Sequence, residues 1–200
     1  MNDPSLITHH SPLTINHSRF TIYDSRPTIY NKTGVMSSNL EVSFNSPQCG
    51  WMSVGFKNGT SEFHTTTAHA PHADALGELL EILTSLLDGS VEPEGRVLHW
   101  NRDPEEYDFR FAPVDGEVLF EVYEYPDDGR EAGEREMVFS HTGDAEQLCD
   151  AFAGTFGQLY EDRNTDDFEF NWHQPFPVAA YERFTAAIAK NVYDQRRDQE

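Results

Sequence analysis

Three histidines lie close together in the sequence, His64, His69 and His72, on an expected β-hairpin and at the start of the helix after it. The spacing His69-x-x-His72 can bring two imidazoles onto one metal ion where the chain turns. A zinc site needs a third or fourth ligand, and no further spacing names one. The plainer reading is solvated histidines at a strand end and a helix start. A second group, His99, Asp103, Glu105, Glu106 and Tyr107, surrounds an expected turn. Carboxylates whose burial separates their pKa values do acid–base work. Either group would thus make a metal-dependent or acid–base, hydrolase-like enzyme. The run Asp103-Pro104-Glu105-Glu106 equally makes an ordinary solvated turn between strands. The sequence has no Gly-x-Ser-x-Gly elbow and no glycine-rich phosphate loop. Neither Cys49 nor Cys149 stands in an activating motif, and both read as buried free thiols. No cofactor is named by any motif, and the balance leans away from catalysis.

Acidity is the stronger signal. The 200 residues carry 35 Asp and Glu against 14 Lys and Arg, a formal charge of −21. Such a surface disfavours nucleic-acid phosphates and anionic lipid. It suits a basic protein partner, steered in by the field, or it serves only to keep the chain in solution. Asp127, Asp128, Glu131, Glu134 and Glu136 gather in one polar stretch. Glu161, Asp162, Asp166, Asp167 and Glu169 gather in another. An aromatic run from Phe168 through Trp172 to Phe176 either anchors a partner or closes the core between two helices. Asp127, Asp128, Glu131, Glu134 and Trp172 are therefore the candidate partner-binding residues. Trp51 and Trp100, on expected strands, read as core.

The elements that must position these residues follow from periodicity. Residues 1–18 show no sustained period and read as a disordered tail. Arg19–Tyr23 fits a short strand. Leu40, Val42 and Phe44 alternate with polar residues, as in a half-buried strand. Trp51–Phe56 and Thr60–Thr67 flank Asn58-Gly59, a pair suited to a type I′ hairpin turn. Leu76, Leu79, Leu80, Leu83 and Leu87 form a helical stripe, giving a helix over 71–88 that starts at Pro71 and stops at Gly89. Strands follow at 96–101, 107–111, 118–123 and 137–139, with Asp115-Gly116 as a second hairpin turn. Asp144 and Gln147 have the spacing of a capping box ahead of a helix over 144–161. Tyr181, Phe184, Ile188 and Val192 mark a last helix, with 195–200 fraying. Tight turns between successive strands imply antiparallel pairing.

The stretch from Gly50-Trp51 through Asn58-Gly59, the Leu76–Leu87 helix and Trp100-Asn101-Arg102-Asp103-Pro104-Glu105-Glu106-Tyr107 resembles a loose group of uncharacterised acidic bacterial α+β proteins. The group has a D-P-x-x-x-L-L type helix before a W-x-x-E-P-x-x-Y type strand pair. Here Pro71 precedes Asp74 and Asp103-Pro104 stands in place of Glu-Pro. The resemblance spans roughly residues 50–125 and 144–185 and carries no activity. It implies an immunity-type role, as some small proteins of this kind bind secreted toxins.

Together these readings give one α+β domain over 19–194. It has a mostly antiparallel sheet of six to eight strands, with three main helices packed against one face. The leading functional expectation is a non-catalytic, immunity-type or inhibitory binding module for a basic protein. No span for a membrane is present, since about 20 apolar residues are needed, and no secretory signal is visible. A cytoplasmic location follows as an expectation. So does a monomer or a weak, salt-promoted dimer, because like charges repel.

Overall fold

Among the described residues seven strands pair in the order in which they occur along the chain, β1-β2-β3-β4-β5-β6-β7, every neighbouring pair antiparallel. They are β1 (Glu41–Phe44), β2 (Trp51–Lys57), β3 (Glu62–Ala68), β4 (Arg96–Asn101), β5 (Glu106–Val114), β6 (Glu117–Tyr125) and β7 (Glu136–Gly143). Four helices accompany them: α1 (Ala75–Asp88), α2 (Ala145–Asp162), α3 (Phe168–Trp172) and α4 (Val178–Asp198). The fold is α+β, as the alternation of hairpins and apolar stripes implies. The computed structural model describes residues 39–70, 72 and 74–198. The expected tail over 1–18 and strand at 19–23 lie outside the described residues.

Local chemistry explains most boundaries. The β5–β6 turn has two residues, Asp115 and Gly116, both at positive φ (53° and 86°), between the paired Val114 and Glu117. That is the conformation a type I′ turn demands. The β2–β3 connection departs from expectation. Lys57 pairs with Glu62, so the loop has four residues, and neither Asn58 nor Gly59 has positive φ. Instead the Asn58 Oδ1 accepts from the backbone N–H of Thr60 and Ser61, each at 2.9 Å, an Asx-type turn. Helix α1 begins at Ala75 rather than at 71, because His72 is held outside it by a bond to β5 described below. Gly89 ends α1 in the left-handed conformation. Asp144 caps α2, accepting from Glu146 N and Gln147 N. Helix α4 continues to Asp198, past the fraying expected from Gln195, because no proline or glycine interrupts it.

The sheet folds over on itself. β3 meets β4 at one pair only, Ala68 with Asn101. Beyond it β2 lies across the other strands: the Phe56 ring is 5.4 Å from Phe109, 5.0 Å from Phe120 and 5.7 Å from Phe139. The Asn58 amide donates to the Ser140 carbonyl of β7 at 2.9 Å, tying down the hairpin tip. Phe152 of α2 and Leu79, Leu80 and Leu83 of α1 are fully buried in the same core. Each such side chain contributes roughly 1.5–3 kcal/mol by leaving water. At the β1 edge Thr155 of α2 donates to the Phe44 carbonyl and accepts from the Phe44 N–H, so a helix blocks that edge.

Candidate functional site

Strand alternation gives β4, β5 and β6 two faces. Leu98, Trp100, Phe109, Phe111, Phe120 and Val122 face the core. His99, Asn101, Glu106, Asp108 and Tyr125 face the opposite way. The register of the β4–β5 hairpin sets His99 opposite Asp108 and Asn101 opposite Glu106, and β6 adds Tyr125 opposite Glu106. Cross-strand neighbours at this spacing interact directly.

A polar network results. The Glu106 carboxylate, its side chain only 3% exposed, accepts from Asn101 at 2.8 Å and from Arg130 at 2.8 Å, and pairs with His72 Nε2 at 3.0 Å. Asp108 pairs with His99 Nδ1 at 2.6 Å, accepts from the Tyr125 hydroxyl at 2.9 Å, and takes a second bond from Arg130. Arg130 thus bridges both carboxylates, and its guanidinium lies 4.6 Å from the centroid of the Tyr125 ring. The His72 and His99 rings are 6.0 Å apart. Burial alone would raise the Glu106 carboxyl, but bonds from His72, Asn101 and Arg130 outweigh it and hold it below the usual value. Burial, together with the bond to Asp108, raises the Tyr125 hydroxyl, so it stays a donor. Chemically the arrangement is a seat for a planar cation, with two imidazoles at its rim. Each imidazole is oriented by a carboxylate, as a proton-relaying histidine is.

The sequence candidates are distributed unevenly around it. His72, His99 and Glu106 come together here. His64 is exposed and pairs with Glu62 at 2.7 Å on β3. The His69 ring packs against His173, with centroids 4.8 Å apart. His64, His69 and His72 therefore point to three different partners. Among the described residues no three His, Cys, Asp or Glu side chains gather as a metal site. The grouping of His99 with Glu105 and Glu106 is also re-sorted: Glu105 turns to Arg102, and His99 takes Asp108. Asp108, Tyr125 and Arg130 were not among the candidates. Alternation in Tyr107–Phe111 carried a signal for Asp108, but nothing local marks Arg130, an arginine amid acids in a loop.

Asp127, Asp128, Glu131 and Glu134 are all exposed. Trp172 is not: it is 3% exposed within the core, and the solvent-facing aromatic of that segment is Phe170, 78% exposed. Helix α3 turns Phe168 and Trp172 inward on one side and leaves Phe170 on the other. Trp51 is 38% exposed and Trp100 fully buried. Cys49 is exposed, in a turn at positive φ, while Cys149 is buried with its thiol pushed far up by burial. A cavity of about 380 Å³ opens beside Cys49, Trp51, His69 and Asp103. It borders the ionic network only through Asn101, so cavity and network are separate features.

The chain matches no protein-family model, no curated protein and no solved structure. No helix among the described residues is long and apolar enough to cross a membrane.

Proposed function

We propose that the protein is a non-catalytic binding module, immunity-type or inhibitory, whose acidic loop docks on a basic protein partner. The observation that supports this most is the inward turn of Arg130. It ties the loop over 126–135 to the outer face of the sheet while Asp127, Asp128, Glu131 and Glu134 remain in solvent. A loop tied to the sheet keeps its acids gathered in solvent, where their field meets an approaching basic surface first. The net charge of −21 adds long-range steering toward a cation-rich surface. The same charge favours a monomer, or at most a weak, salt-promoted dimer.

The test is affinity capture with the full chain, identification of bound proteins, and a salt series on any pair found. A basic partner whose affinity falls steeply with salt is the expected result. The triple variant Asp127→Lys, Asp128→Lys, Glu131→Lys should lose it. Capture that is indifferent to both salt and the triple variant would overturn the reading.

A further inference from the structure

The loop over 126–135, between β6 and β7, is held to the sheet by two arginines, of which Arg130 alone is taken partly out of solvent. Of the loop's residues it is the only one not exposed. The other arginine is the solvent-exposed Arg135, whose guanidinium lies 4.6 Å from the centroid of the Tyr123 ring and bonds the Tyr125 side chain. No apolar residue of the loop enters the core. Arg130 itself is 22% exposed, has positive φ (49°), and is seated between Glu106 and Asp108 on the Tyr125 ring.

The seat is formed without the loop. Glu106 and Asp108 are set by the β4–β5 register and Tyr125 by β6; Asn101 holds the Glu106 Oε1, while His72 shares Oε2 with Arg130. Two carboxylates and a ring face make a shape that a planar, forked guanidinium fills and a compact ammonium does not. The seat also carries charge to spare: two carboxylates face one guanidinium, with the imidazoles of His72 and His99 at the rim.

We propose that this seat is an arginine-recognition slot, closed by the chain's own Arg130 until an arginine of the partner replaces it. The proposal rests on the binding reading above and names the group that the partner presents. Exchange keeps the contacts of the slot, guanidinium for guanidinium, and releases the loop. Asp127, Asp128, Glu131 and Glu134 are then free to close over the incoming basic segment. Self-occupancy lowers the apparent affinity by the fraction of time the slot is open.

The experiment uses the full chain with fluorescent nona-arginine and nona-lysine peptides, followed by anisotropy at about 0.15 M salt. Arg130→Ala should bind nona-arginine about tenfold more tightly than the native chain. Its affinity for nona-lysine should change by less than about twofold, since added negative charge alone acts on both peptides. Adding Asp108→Asn to Arg130→Ala should cancel the gain. Equal changes for both peptides, or none, would overturn the slot. A second measurement needs no variant: amide exchange across 126–135 should quicken when nona-arginine binds the native chain and stay unchanged with nona-lysine. Unchanged exchange with nona-arginine bound would likewise overturn it. The two readings separate cleanly. A salt-sensitive basic partner whose binding ignores Arg130→Ala removes the slot and leaves the module. A slot that selects nona-arginine in a chain that captures no basic protein removes the module and leaves the slot.

Discussion

Strands β4, β5 and β6 have two faces that share one backbone and depend on opposite physics. The inner face carries Phe109, Phe111 and Phe120, which meet Phe56 of β2 and Phe152 of α2 edge to face and each other edge to face or stacked, all fully buried. Its stabilisation is contact area, indifferent to salt and proton. The outer face of the same residues' neighbours is Glu106, Asp108 and Arg130, where every charge depends on another being present. Removing one atom set inside leaves a void; removing one outside leaves an uncompensated ion. Residues one apart in sequence can therefore serve packing and recognition independently.

The largest test of that contrast is Phe152→Ala. The ring contacts Phe44, Phe56, Phe111, Phe120 and Phe156. Its loss should cost about 4 kcal/mol in urea unfolding, with the same loss at low and high salt. Glu106→Ala should cost about 2 kcal/mol, less than a fully buried pair because Arg130 and His72 keep some solvent. Its cost should shrink as salt rises. Equal salt response in the two variants would break the distinction between the faces.

Acid titration sharpens it, with a smaller effect. Burial holds the His141 imidazole below its ordinary 6.5, with Glu117 pulling the other way. The unfolded chain takes that proton first, so stability is full above 6.5 and declines as pH falls below it. Glu106 acts lower. Its carboxyl is held under 4.5, so its contribution is complete above 4.5 and is lost as pH falls through its folded value. Urea midpoints measured from neutral to acid pH should show both descents. His141→Gln should abolish the upper one alone. The smallest effect belongs to the exposed loop: Asp127→Lys, Asp128→Lys, Glu131→Lys should leave stability within about 0.5 kcal/mol of the native chain. A larger loss would show that these acids support the fold.

The fold was more legible in the sequence than the site. The Leu76–Leu87 stripe, the Asp115-Gly116 turn and the Asp144 cap are local signals, and each element formed where its signal stood. Asn58-Gly59 marked a turn correctly but not its type, because the Asn58 side chain has two further tasks, capping the loop and reaching Ser140. The network was half visible. His72, His99 and Glu106 stood out by type, yet their pairing depends on cross-strand register and on where α1 starts. Arg130 enters from a loop with no periodicity, and no spacing rule connects residue 130 with residue 106. The run Phe168–Phe176 was open between anchor and core, and Trp172, a candidate partner residue, is core, because one turn of helix decides which aromatic faces out.

The strand order has a consequence for how the chain is made. Each strand's partner on one side is the one synthesised just before it, so pairing can begin as soon as each hairpin leaves the ribosome, with short loops to close. The exception is the step from β3 to β4, where α1 intervenes and only Ala68 and Asn101 meet. Helix α1 brings Leu79, Leu80 and Leu83 to the core early, but the rings of the strands lack the cover of Phe152 and Phe156 until α2 emerges, more than a hundred residues after β1. For that interval the nascent chain displays Phe44, Phe56, Phe109 and Phe120 to its surroundings, together with a β1 edge that Thr155 has not yet reached. A growing chain of this kind is a natural client for a ribosome-associated chaperone, and truncation before residue 145 should yield an aggregating product rather than a smaller domain.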